Sequence, residues 1–231
     1  MTVTEFLNEL FGEMSQDQRI LIWQMPKKLS TWFINPNDAG KYIQKTAPKS
    51  ADIYFGCGLR NKDFGPNRRG KRNDIVAIPG FWADIDIASE HHQAKNLPTS
   101  LEEAVSLVKG YGWDPTLIVH SGNGIHCWWL FKELWTLDDD QERDAAEELG
   151  QKLQDTIRLR AHDKQWTIDA TADLPRVLRP AGTLNHKNDP PAKVTIIENT
   201  QIRYSDPMDL DKFMVQNAAS PKTRLTEDQK E

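Results

Sequence analysis

Two acidic side chains stand two residues apart in an apolar stretch, Phe81-Trp82-Ala83-Asp84-Ile85-Asp86-Ile87. A β-strand sends alternate side chains to opposite faces. Phe81, Ala83, Ile85 and Ile87 then share one face, and Asp84 and Asp86 the other. Carboxylates buried without a partner are costly, so something positive must sit against them. A pair of divalent cations meets that demand, because Mg2+ and Mn2+ favour carboxylate oxygens. An arginine, or solvent along the polar face, is the plainer solution.

A second candidate is Val119-His120-Ser121-Gly122-Asn123-Gly124-Ile125-His126-Cys127-Trp128-Trp129-Leu130-Phe131. Ser121 to Gly124 reads as a tight hairpin turn, since Asn-Gly tolerates the positive φ such turns need. His126 lies just beyond it and shares its strand face with Trp128 and Leu130. Backbone can approach a phosphate closely at a glycine-rich turn, which brings His126 forward as an anion contact. His120 on the other arm competes with it, and a packed structural histidine is the plain reading of either. Trp128 or Trp129 offers a ring for stacking a base, with core packing the favoured role.

The third candidate runs from Trp166 to Lys187. It holds Asp169 after the apolar Ile168, then Asp173, Arg176 and Arg179, a Pro180–Gly182 turn, and Asn185-His186-Lys187. Arginine and lysine near carboxylates suit a nucleoside triphosphate. A loop closed by its own ion pairs is the alternative. A fourth stretch, 56–74, carries Arg60, Lys62, Arg68, Arg69, Lys71 and Arg72, and between Arg60 and Arg72 the one acid is Asp63. With its glycines and proline it reads as a basic, mobile loop.

These candidates need elements to hold them. Val3, Phe6, Leu7, Leu10, Phe11 and Met14 follow a helical period, and Thr2 with Glu5 has capping-box spacing. Strands are expected over 20–23, 32–34 and 52–55, with a helix from Asn35-Pro36 to about Thr46. The strand of the two acids spans 80–87. Ser100 caps a helix with the apolar stripe Leu101, Ala104, Val105 and Val108, Glu103 completing the capping box. Strands 116–120 and 125–131 form the hairpin arms. A polar helix over about 138–160 turns Ala145, Leu149, Leu153 and Ile157 inward. A last strand spans 193–198, a short helix spans 207–215, and a polar tail or truncated linker runs from Gln216 to the end. From residue 80 the order β, α, β-hairpin, α, β is an α+β pattern with split βαβ character, not a doubly wound one.

Composition narrows the function classes. The chain has 231 residues, 38% apolar and 27% charged, enough for one large domain or two small ones with a real core. With 29 Lys+Arg against 34 Asp+Glu the net charge is −5, so a nucleic-acid surface must be a local patch. Cys57 and Cys127 have no finger or disulfide-scaffold spacing, which speaks against structural zinc. No apolar run approaches ~18 residues, and the N-terminus lacks a basic n-region. A soluble, cytoplasmic protein that touches no membrane is the expectation.

The three acidic, histidine and basic motifs, in this order and spacing, resemble the archaeo-eukaryotic primase superfamily. The similarity is strongest to the primase-polymerases of plasmids, phages, other mobile elements and CRISPR systems, and covers about residues 50–200. On that resemblance Asp84 and Asp86 are the DxD pair, and Gly122–His126 is the histidine motif. Asp169 is the third carboxylate, with Asp173 its rival. The chain departs from the pattern at Arg179-Pro180-Ala181-Gly182-Thr183, where proline comes one step early. It departs again at Gly124, where many members carry a serine.

The resemblance implies an α+β primase catalytic domain over 1–215: an N-terminal α/β module (1–78) packed on an RRM-like mixed sheet (79–215). It implies DNA primase and polymerase activity on single-stranded DNA from dNTPs or NTPs. Asp84, Asp86 and Asp169 would hold two Mg2+ or Mn2+ ions roughly 3.5–4 Å apart. His126, Arg176, Arg179, Asn185 and Lys187 would bind the incoming nucleotide, with template or initiating-nucleotide contacts from Arg60, Arg68, Arg69, Lys71 and Arg72. A helicase or accessory helical domain is the implied partner. Two other readings share the carboxylates or the fold: a two-metal nuclease, and a catalytically silent nucleic-acid-binding module. A rolling-circle nicking enzyme would need His-apolar-His, which neither His91-His92 nor His126-Cys127-Trp128 supplies.

Overall fold

A computed structural model of the chain describes residues 1–89, 96–212 and 214. His91, His92 and the tail from Gln216 lie outside those residues. Helix α1 (Val3–Phe11) opens the chain with a complete capping box: Glu5 N donates to Thr2 Oγ1 and Thr2 N to the Glu5 carboxylate. Its buried stripe is Val3, Phe6, Leu7, Leu10 and Phe11, as the period requires. Helix α2 (Pro36–Lys45) starts on an Asn35 cap with proline in its first turn. The two helices meet at Gly40, where a Cβ would stand 2.2 Å from Thr4 Oγ1, so only glycine permits that approach.

Strands β1 (Ile20–Met25), β2 (Leu29–Phe33) and β3 (Asp52–Gly56) form three neighbours of a four-stranded sheet in the order β2-β1-β3-β8. Its fourth member, β8 (Val177–Leu178), comes from the far end of the chain. A second, five-stranded sheet runs β11-β6-β7-β5-β4. It contains β4 (Leu59–Arg60), β5 (Ile75–Asp86), β6 (Leu117–His120), β7 (Gly124–Thr136) and β11 (Thr195–Asn199). The two sheets therefore exchange strands. The expected seam at 78/79 falls inside β5, and β4 of the first module pairs in the second sheet. Every ladder of both sheets is antiparallel, where a mixed sheet was expected.

Helix α3 (Leu101–Ser106) keeps its Ser100 cap, but the Glu103 carboxylate bonds Thr99 N instead of closing a box on Ser100. Helix α4 (Asp140–Asp163) buries Ala146, Leu149, Leu153 and Ile157; Ala146 takes the inward place expected of Ala145. The last strand divides into β10 (Ala192–Lys193), which pairs with β9 (Leu184–Asn185), and β11. Helix α5 is limited to Met208–Asp211. No helix among the described residues is long and apolar enough to cross a membrane.

Aromatic rings cement the two layers. Trp128 on β7 stacks on Phe55 of β3 at 5.7 Å, and Trp113 stacks on Trp129 at 5.2 Å. Trp128 and Trp129 are fully buried, so they are core residues and not platforms for a base.

Candidate active site

Strand β5 presents Asp84 and Asp86 on one face, as the alternation demands. In the antiparallel register Asp84 lies opposite His126 and Asp86 opposite Gly124. The His126 Nε2 stands 3.7 Å from Asp84 Oδ1. The hairpin turn forms as expected: Ser121 N donates to Gly124 O, and Gly122 has φ +100. A Cβ at Gly124 would lie 2.4 Å from Ile85 O. The close approach of β5 and β7 therefore excludes the serine of the family pattern. His120 pairs with Ile125, on the sheet face opposite to His126.

Burial sets the charge states. It pushes the Asp84 carboxyl up to about 6, and the charge of Asp169 adds to this, while Arg176, Arg179 and Lys187 pull the other way. Burial also holds the His126 imidazole down to about 3, with Arg179 acting in the same sense, so it is neutral at pH 7. The Asp84 side chain keeps 29% of its surface exposed, whereas His126 is almost fully enclosed. His126 is thus an uncharged neighbour of Asp84. Its Nδ1 is buried with no hydrogen-bond partner among the described residues.

The loop after α4 brings Asp169 within electrostatic reach of Asp84. Its rival Asp173 accepts from Arg176 Nε at 2.8 Å, which makes it an ion-pair residue of the loop. Arg176 also donates to Ala170 O at 3.1 Å. Arg179 is 7% exposed and committed inward: it donates to Asp52 Oδ1 at 3.1 Å and to Tyr54 Oη at 2.6 Å. It was expected to meet a nucleotide directly, and instead its guanidinium joins β3 to the site, with Nε still unpartnered. Asn185 is likewise buried and holds the hairpin, donating to Ser121 O at 2.8 Å. Lys187 is exposed, and its backbone N–H is fixed by Asn185 Oδ1. The early proline is accommodated by Gly182 at φ +89, where a Cβ would stand 2.8 Å from Val3 N.

The basic loop divides in two. Arg60 is fully buried; it donates to the carbonyls of Arg69, Gly58 and Pro175. Its guanidinium is a structural strut, not the template contact expected from its charge. Arg72 is bound to Glu147, Asp144 and Asp140 of α4, which accounts for its donors. Arg68, Arg69 and Lys71 remain exposed. The backbone of the loop is tied to β2: Trp32 Nε1 donates to Gly65 O at 3.0 Å, and Ser30 to Arg68 O. Arg69, Lys71, Arg72 and Arg176 border one cleft of about 390 Å3, with Asp173 in its wall. The basic loop and the Arg176 segment thus share one cleft.

Among the described residues no three His, Cys, Asp or Glu side chains converge into a ready-made metal cage. The donors present still suit hard cations. Two carboxylates on one face of β5, with Asp169 bearing on the first of them, are oxygen donors of the kind such cations take. Mg2+ is usually held by one or two carboxylates together with substrate phosphates, so a partial protein set is the expected form of such a site.

Four participants had no signature in the sequence: Asp52, Tyr54, Gln154 and Thr171. Each reaches the site across more than a dozen chain positions through side-chain bonds.

No family model matches this chain. No curated protein matches it either. Solved structures do. The AEP domain of the cyanophage S-2L primase-polymerase superposes with a TM-score of 0.56 at 14% identity, over 87% of this chain and 90% of that one. The primase RepB' superposes with a TM-score of 0.50 at 14% identity, over 91% of this chain and 61% of that one. The chain shares the fold of these primase domains.

Proposed function

We propose that this chain is a DNA primase-polymerase that builds short strands on single-stranded DNA from nucleoside triphosphates, using Mg2+ or Mn2+. The observation that carries this reading is the pairing of the Asp84/Asp86 face with the Gly122–His126 hairpin, with Asp169, Arg176, Arg179 and Lys187 all bearing electrostatically on Asp84. The shared fold with two primases supports it.

The residues divide the work by position. Asp84 and Asp86, with Asp169, would hold the cations. When bound, these supply Lewis-acid polarisation of phosphate oxygens and a lowered pKa for the attacking hydroxyl. Lys187 and Arg176, whose charges act on Asp84, would supply positive charge for the triphosphate. His126, neutral and enclosed, packs beside Asp84 without adding charge there. Arg179 acts through Asp52 and Tyr54, fixing the 177–187 segment against β3. Arg69 and Lys71 border the cleft where a template backbone would run, with Arg68 exposed beside them; such contacts give affinity without sequence preference and weaken with salt.

The test is synthesis on unprimed single-stranded DNA with labelled dNTPs and Mg2+ or Mn2+, beside Asp84→Ala/Asp86→Ala. New oligomers that vanish in the variant are expected. Products that appear only with a supplied primer would remove the priming half of the proposal, and a shortened template with no growing product would replace it with a nuclease.

A further inference from the structure

The segment carrying Asp169 has no regular secondary structure of its own from 166 to 173. Something else must hold that carboxylate in place relative to β5. One residue two positions on, Thr171, is 4% exposed and uses its N–H, its carbonyl and its hydroxyl. Its N–H donates to Gln154 Oε1 at 2.8 Å. Its carbonyl accepts from Trp82 Nε1 at 2.7 Å. Its hydroxyl oxygen accepts from Gln154 Nε2 at 3.0 Å and from the Asp84 N–H at 3.3 Å.

Gln154 completes the link. It projects from the middle of α4, is 1% exposed, and sends Nε2 also to Trp82 O at 3.0 Å. The Gln154 carboxamide and the Thr171 hydroxyl together therefore tie the loop of Asp169 to the backbone on either side of Ala83, at Trp82 O and Asp84 N. On the same helix Arg158 Nε donates to Ile168 O at 3.1 Å, which pins the residue before Asp169. The core alone does not require this arrangement, since an apolar residue would fill the position without burying a carboxamide.

We propose that Gln154 and Thr171 are positioning residues that set the spacing between Asp169 and the Asp84/Asp86 pair, and through it the strength of divalent-cation binding. This rests on the reading of those carboxylates as a cation site. Partners that orient ligating groups typically change metal affinity by about 10–100-fold when removed. Thr171→Val keeps the shape and deletes the hydroxyl. Thr171→Ser keeps the hydroxyl and is the conservative rescue.

The experiment is a titration of the folded chain with Mn2+ alone, followed by the loss of the free-ion signal in electron paramagnetic resonance. Wild type, Thr171→Val, Thr171→Ser and Asp84→Ala are compared, each checked for a cooperative melt. The expected result is Mn2+ binding at least about tenfold weaker in Thr171→Val and near wild type in Thr171→Ser. A folded Thr171→Val that binds as wild type does would overturn the proposal and leave the strap a packing feature. If Thr171→Val does not fold, Gln154→Met carries the same expectation, since it keeps the length of the side chain, adds no charge, and loses the donors to Trp82 O and Thr171 Oγ1 and the acceptor for Thr171 N. Binding that is equal in wild type and Asp84→Ala would overturn the cation site itself, a result distinct from failure of the strap alone.

Discussion

Asp84→Asn should make the metal-free protein more stable while abolishing its chemistry. The folded chain holds the Asp84 carboxyl at about 6 instead of 3.8, chiefly through burial. For an acid raised in this way, the folded state binds more protons than the unfolded state between those two values. Stability from this group is therefore full below about pH 4 and falls as pH rises through 6. The whole difference is worth roughly 3 kcal/mol at neutral pH. Because the side chain keeps 29% of its surface in water, part of that cost is relieved, and a gain of about 1–2 kcal/mol is expected. An amide of the same shape removes the charge and keeps the packing. Urea denaturation in chelator at pH 7.5 and again at pH 4 measures it. The variant should lead at pH 7.5, and the gap should close at pH 4. Adding Mg2+ should stabilise wild type more than the variant. Equal stability at pH 7.5, or a gap that persists at pH 4, would refute the reasoning.

Three further outcomes follow from the placement of the basic residues and one glycine. Replacing Arg68, Arg69 and Lys71 with alanine should weaken single-stranded DNA binding and lower its log–log salt slope by about 2, from roughly 0.7 per lost phosphate contact, measured by fluorescence anisotropy across salt. Arg60→Met removes donors from three carbonyls, that of Gly58 buried and those of Arg69 and Pro175 partly so, and should cost about 2–3 kcal/mol in denaturant unfolding, with DNA affinity of the folded fraction unchanged. A Cβ at Gly80 would stand 2.1 Å from Trp129 O, so Gly80→Ala should lower the thermal midpoint by several degrees, read by circular dichroism.

Local pattern made the central strand legible. Alternation alone assigned Asp84 and Asp86 to one face, and Asn-Gly chemistry located the hairpin that pairs with it. Helix caps at Thr2, Asn35 and Ser100 were readable for the same reason: each bond spans three residues. What stayed hidden depends on distant partners. Strands β4 and β8 are two residues long, too short for any period, and it is their pairing that knits the sheets together. Arg60 looked like a surface cation because sequence shows charge but not the three carbonyls that enclose it. Arg179 looked like a phosphate ligand, yet Asp52 and Tyr54 sit more than a hundred positions away and claim it first. Gln154 was one polar residue in a polar helix until its bonds to Trp82 and Thr171 came into view.

The most direct test of the account is extension of a primed DNA template with a labelled dNTP in Mg2+ or Mn2+, run with wild type and Asp84→Ala/Asp86→Ala at matched thermal stability. The account predicts cation-dependent growth of the primer by wild type and none by the variant. Equal extension by both proteins would contradict it, because the paired carboxylates of β5 would then have no part in the chemistry.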